Sequence, residues 1–180
     1  MRKILSALLI LTIVSMLFTG CSGKGTTVSL NKNGLVEYDA FKSNFEELVS
    51  KLPNLTIEHQ EDLPLEDDMT CHAFLIKNAK LDKSYKYRVY VSKDSEVLWV
   101  FLGADRDAKD SLPFAKLSFC MYKAMGCPQM RADAFYDKYN LLSNEDIFEM
   151  EAFGKYSIIS MTMNSVEEIT FALRTTDSIG

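Results

Sequence analysis

Histidine is scarce in this chain: only His59 and His72 occur in 180 residues, so acid–base chemistry near neutral pH has two candidates at most. No G-x-S-x-G elbow and no phosphate-cradling P-loop is present, which removes the nucleophile and nucleotide arrangements those motifs build. Basic residues do not dominate, with 20 Lys and Arg against 25 Asp and Glu. A protein that neutralises phosphates needs the reverse, so non-specific nucleic-acid binding is not expected. The longest apolar run, at the amino terminus, is shorter than the roughly 20 residues of a spanning helix, which leaves a permanent membrane span as the second reading of that segment. Strands and helices do not alternate along the chain, so a doubly wound parallel sheet is not expected either.

What is present begins at the amino terminus. Arg2 and Lys3 precede an apolar segment from Ile4 to Phe18, interrupted only by Ser6, Thr12 and Ser15. A basic start followed by a short apolar stretch is the pattern of an export signal. The segment ends in Phe18-Thr19-Gly20-Cys21, which resembles the lipobox of bacterial lipoprotein signal peptides, with Phe18 where Leu, Val or Ile is usual. The resemblance covers residues 1–21 and implies cleavage before Cys21 and a diacylglyceryl group on its sulfur. Two acyl chains give stable anchoring where one gives only marginal, reversible binding. Ser22 is not the Asp that marks inner-membrane retention in that class. The implied location is therefore the outer face of the plasma membrane, or the outer membrane in a cell with two.

Residues 21–35 have the Gly, Ser, Thr, Asn and Lys content of a flexible tether, and Ser22–Gly34 would hold a folded domain roughly 20 Å from the lipid. Removing the first 20 of 180 residues leaves 160, and the loss of Arg2 and Lys3 leaves 18 basic against 25 acidic residues, a charge near −7. That length suits one domain, residues 36–180, with a full core. The charge also argues against a polybasic grip on anionic lipid.

With Cys21 taken by lipid, Cys71, Cys120 and Cys127 remain. An odd number allows one internal disulfide at most. Within one helix Cys120 and Cys127 would stand about 10.5 Å apart along the axis, too far for a bond that needs its Cα atoms within roughly 7 Å. Gly126 and Pro128 can turn the chain back there, so a Cys120–Cys127 bridge is an expectation alongside a Cys71 bridge and buried thiols.

The patterning predicts an α+β fold. Tyr38, Phe41, Phe45, Leu48, Val49 and Leu52 recur at helical spacing, with Asp39 as N-cap and Pro53 as the stop. Strands follow at Leu55–Glu61, Thr70–Lys77, Tyr85–Val91 and Glu96–Leu102, with a turn at Lys93-Asp94-Ser95. Tyr85, Tyr87, Val89 and Val91 alternate with Lys86, Arg88, Tyr90 and Ser92, one apolar face and one wet. Val97 to Leu102 is apolar on both faces, which predicts a central strand. A helix over Ser111–Met125 presents Phe114, Leu117, Met121, Ala124 and Met125, with Gly126 as its C-cap. A shorter helix over Ala132–Leu141 carries Phe135, Tyr139 and Leu142. Strands at Ile147–Phe153, Tyr156–Met163 and Val166–Arg174 complete the order, joined by short turns at Gly154-Lys155 and Asn164-Ser165. A mainly antiparallel sheet of six or seven strands with two or three helices on one face is the expectation.

Candidate chemistry is thin. Cys71 and His72 are adjacent, and neighbours on a strand point to opposite faces, so they do not form a thiol–imidazole pair by themselves. Asp105 to Asp110 places Asp110 and Lys116 where a calcium loop needs Gly and Glu, and Glu66-Asp67-Asp68 is an exposed acidic turn. Met161 and Met163 share a strand face and suit Cu(I), although Met also fills cores. Tyr90 with Lys86 and Arg88 is the first candidate for a recognition surface, since tyrosine and cations together hold anionic ligands, glycans or protein partners. The expected function is that of an envelope-anchored lipoprotein, held to the membrane through Cys21, that binds a protein or envelope component without catalysis and without a cofactor. The competing expectation is an envelope enzyme or copper-handling protein using Cys, His and Met side chains.

Overall fold

The computed structural model describes residues 28, 30–105, 111–142, 147–163 and 168–176. The expected signal segment, Cys21, most of the expected tether, the acidic stretch 106–110 and the expected turn at Asn164 lie outside the described residues. The elements run α1 (Tyr38–Ser50), β1 (Leu55–Pro64), a 3-10 turn (Glu66–Asp68), β2 (Thr70–Asn78), β3 (Lys83–Val91), β4 (Val97–Asp105), α2 (Ser111–Ala124), α3 (Ala132–Lys138), β5 (Ile147–Phe153), β6 (Tyr156–Met163) and β7 (Glu168–Thr175). The strands form one seven-stranded sheet in the order β1-β2-β3-β4-β7-β6-β5, and every pair is antiparallel. The fold is α+β with its helices on one face. No described helix is long and apolar enough to cross a membrane.

Local sequence explains several element ends. Gly126 at φ +71° closes α2: its N–H donates to the Lys123 carbonyl at 3.0 Å, and the Cys127 N–H reaches the Tyr122 carbonyl at 3.3 Å. These two bonds satisfy carbonyls that the helix end would orphan. Asn140 at φ +51° does the same for α3, where the Leu141 N–H donates to the Tyr136 carbonyl at 3.0 Å. That turn corrects the short helix's predicted stripe, because Leu141 is the residue returned to the core and Leu142 is exposed. The predicted N-cap of α1 also moves: Glu37 occupies that position without a side-chain bond, and Asp39 lies in the first turn, where its charge complements the helix dipole. The Gly154-Lys155 turn is a two-residue hairpin, with Phe153 opposite Tyr156.

One continuous core lies between the helices and the inner sheet face. Phe41, Phe45, Phe74 and Tyr87 pack at one end, with the Phe45 and Tyr87 rings 4.7 Å apart. Phe135, Tyr139 and Phe171 pack at the other, where the Phe135 and Phe171 rings are 5.5 Å apart. Tyr85, Tyr87, Val89 and Val91 are buried and Lys86 and Arg88 exposed, as the alternation predicts. At β4, fourth of the seven strands, Val97, Val100, Leu102 and Ala104 are buried, while Trp99 and Phe101 are half-buried. The register shifts between Tyr90 and Val91, and this bulge resets which β4 residues point inward.

Candidate functional site

The face opposite the helices carries apolar side chains that a folded monomer would be expected to hide, Phe148 and Met150 among them. An antiparallel sheet can leave one face to water, and that face then reads polar. Here it does not. Cross-strand pairing sets Tyr90 beside Trp99 and Trp99 beside Arg174, then Arg88 beside Phe101 and Phe101 beside Ala172. The row continues through Ile159 to Met150 and through Met161 to Phe148. An apolar band thus crosses the sheet from β3 to β5, covered by no described helix. At its outer end Phe148 is 64% and Met150 58% exposed.

The inner end of the band is a preformed aromatic stack. Tyr90 lies against Trp99 at 4.7 Å with 18° between the rings. The Arg174 guanidinium sits 5.4 Å from the Trp99 ring centroid, close enough for cation–π attraction. Phe101 meets Trp99 edge-on at 6.4 Å. Gly103 explains how Phe101 lies flat along its own strand: a Cβ there would come within 2.7 Å of the Phe101 ring. The Trp99 indole N–H is buried and finds no acceptor among the described residues. Cys71, opposite Tyr90 in the register, is buried beneath this end, and burial pushes its thiol up.

The candidates read from the sequence therefore fall into place unequally. Lys86, Arg88 and Tyr90 all lie on the open face, Arg88 beside Phe101 and Tyr90 in the stack. Sequence reasoning missed Trp99, Phe101, Ile159, Arg174, Phe148 and Met150. The available signals were the two-faced apolar run at β4 and the alternation of Phe148 and Met150 with Glu149 and Glu151. Among the described residues no disulfide forms: Cys71 and Cys120 are buried thiols and Cys127 a half-buried one. Met161 is half-buried in the band, and the Met163 side chain lies outside the described residues. No group of three or more His, Cys, Asp or Glu placed to hold a metal occurs among the described residues.

Two polar clusters lie elsewhere. The Asp62 carboxylate accepts from His59 Nε2 at 2.8 Å and His72 Nδ1 at 2.7 Å. His72 stacks on Tyr38 at 4.3 Å, facing away from Cys71 as strand alternation requires. The histidine bonds hold Asp62 below the ordinary carboxylate value, while burial pushes the Tyr38 hydroxyl up to about 12. The second cluster is a shallow cleft of about 600 Å³ lined by Asn31, Lys32, Asn33, Glu37, Asp94 and Glu96. Its one buried carboxylate, Glu96, already accepts from the Asn31 and Asn33 amides, each at 2.6 Å. These bonds and the Leu30–Val36 bridge fold the end of the expected tether onto the β3–β4 turn.

Compared with known protein families, curated proteins and solved structures, the chain matches none.

Proposed function

We propose that this chain is an envelope-anchored lipoprotein whose folded domain is a non-catalytic binding module, docking a protein partner on the open face of its sheet. The observation that carries the reading is the band from Tyr90 and Trp99 to Phe148 and Met150. Contiguous exposed apolar surface rimmed by charge is characteristic of interaction sites, and aromatic residues with Arg dominate binding energy where partners meet. Lys86 and Arg88 form the charged rim. The residues before Cys21 support the anchor, which would keep the domain within a short tether's reach of the membrane.

Each half of the reading has its own test. Cys21→Ser should release the chain from membranes and remove the mass of the acyl chains; unchanged location and mass would end the anchored reading. For the open face, a photoreactive amino acid replacing Tyr90 in the cell should form a discrete adduct that the same residue at Lys123, on α2, does not. Identical adduct patterns from both positions, or none from Tyr90, would overturn it.

A further inference from the structure

The two edges of the sheet differ in a way that identifies where, and to what, the open face extends. β1 is a protected edge. It ends in Pro64, its register breaks between His59 and Glu61, and it carries Glu58, Glu61 and Asp62, with Glu58 paired to Lys77 at 2.7 Å. Proline, bulges and charges are the devices that keep an edge from recruiting another strand. β5, the opposite edge, has none of the first two. It pairs with β6 without a register shift from Ile147 to Phe153, contains no proline, and has no strand on its other side among the described residues.

The side chains of β5 sort by face. Phe148 and Met150 continue the apolar band, and both are more than half exposed. Glu149 and Glu151 point to the helix side. Glu151 already accepts from Lys138 Nζ at 2.6 Å and from the Tyr139 hydroxyl at 2.8 Å. Glu149 is exposed and has no cation beside it among the described residues. A second copy of this chain is a poor occupant. If two β5 strands paired antiparallel with their open faces continuous, each of the three central registers would set a glutamate of one copy opposite a glutamate of the other. Like charges directly opposite one another destabilise a strand pair.

We propose that β5 is a strand-addition edge for an extended segment of a partner protein in which apolar residues alternate with Lys or Arg. Backbone hydrogen bonds along β5 supply attachment, and alternate side chains supply specificity. The apolar residues cover Phe148 and Met150, and a basic residue meets Glu149. The inference rests on the open face being the partner surface and names the chemistry of what reaches its outer end.

The test uses the full chain in non-ionic detergent and, as probe, a fluorescent ten-residue peptide of alternating valine and lysine. Controls are a block-ordered peptide of the same composition and an alternating valine–glutamate peptide. The alternating valine–lysine probe should bind and slow amide hydrogen exchange within residues 147–153. Glu149→Lys should weaken it by about tenfold or more, as should the double change Phe148→Ser with Met150→Ser. Unchanged circular dichroism checks that these exposed substitutions leave the fold intact. Protection on β1, equal binding of the block-ordered peptide, or unchanged affinity of both variants would overturn the edge while leaving the Tyr90 crosslinking result to decide the open face. Concentration-dependent dimers that protect β5 without any peptide would overturn it in favour of a second copy.

Discussion

Tyr156 shows how much one side chain can hold in this protein. Its ring is buried, and its hydroxyl donates to the Val97 carbonyl at 2.7 Å while accepting from the Val36 N–H at 3.0 Å. It therefore joins β6 to the start of β4 and to the residue that leads into α1. Removing the hydroxyl leaves two buried backbone groups each short of a bond, so Tyr156→Phe should cost about 1–3 kcal/mol in urea unfolding. The cysteines make a second residue-scale case. Burial pushes the Cys127 thiol well up and raises that of Cys71, and the thiolate is the reactive form. Iodoacetamide at neutral pH should add nothing to the folded, membrane-extracted chain. After denaturation without reductant it should add to Cys71, Cys120 and Cys127; addition to Cys71 alone would report a Cys120–Cys127 bridge, and one further addition would report an unlipidated Cys21.

At the scale of elements, β1 is fastened by chemistry of its own. Both histidines of the chain donate to the one Asp62 carboxylate, and through His72 and its stack on Tyr38 they tie the outer half of β1 to β2 and to the start of α1. These bonds lower Asp62 from its ordinary 3.8. A lowered acid contributes stability that is complete above the unfolded value and disappears as pH falls through the folded one. The contribution should therefore be complete at neutral pH and decline only as the pH falls below the ordinary 3.8. Asp62→Asn should be less stable than the parent at neutral pH, by under about 1 kcal/mol because the carboxylate is half exposed. The two should converge in urea midpoints as the pH is taken further below 3.8; a gap independent of pH would rule this origin out. The elements themselves were largely legible in the sequence: alternation located β3, and the glycine after Met125 located the end of α2. The overreach of the α3 stripe to Leu142 came from Asn140, whose left-handed turn is a local event that helical spacing does not register. The band was less legible, because Trp99 and Phe101 on β4 are separated in sequence by two helices from Phe148 and Ile159 on the β5–β6 hairpin. The run at β4 was apolar on both faces, yet only one face acquired a covering layer.

At the scale of the whole molecule, strand order decides how the parts depend on one another. Four strands run in sequence, then two helices, then three strands, and the last of these returns to pair with β4. That order suggests two meanders, but burial does not respect the division. β4 and β7 sit side by side in the middle of the sheet, and residues from every described helix and from both meanders belong to one core. Such a core predicts a single cooperative transition rather than two. Ile76 on β2 and Ile158 on β6 are both buried and lie on opposite sides of the β4–β7 seam. Shortening either to valine should cost about 0.5–1.5 kcal/mol. The only tryptophan, Trp99, lies on β4 and reports the seam by fluorescence, while circular dichroism reports the whole sheet. If the molecule is one unit, Ile158→Val and Ile76→Val each shift the fluorescence and dichroism midpoints together. If the meanders open separately, the two midpoints come apart, because Trp99 reports the loss of its β7 neighbour Arg174 at the seam while dichroism also follows the meander that stays folded. Coincident midpoints would also place the open face proposed for binding on a rigid platform, since the aromatic stack at Trp99 and the exposed edge at β5 would then lose their geometry only when the whole fold is lost.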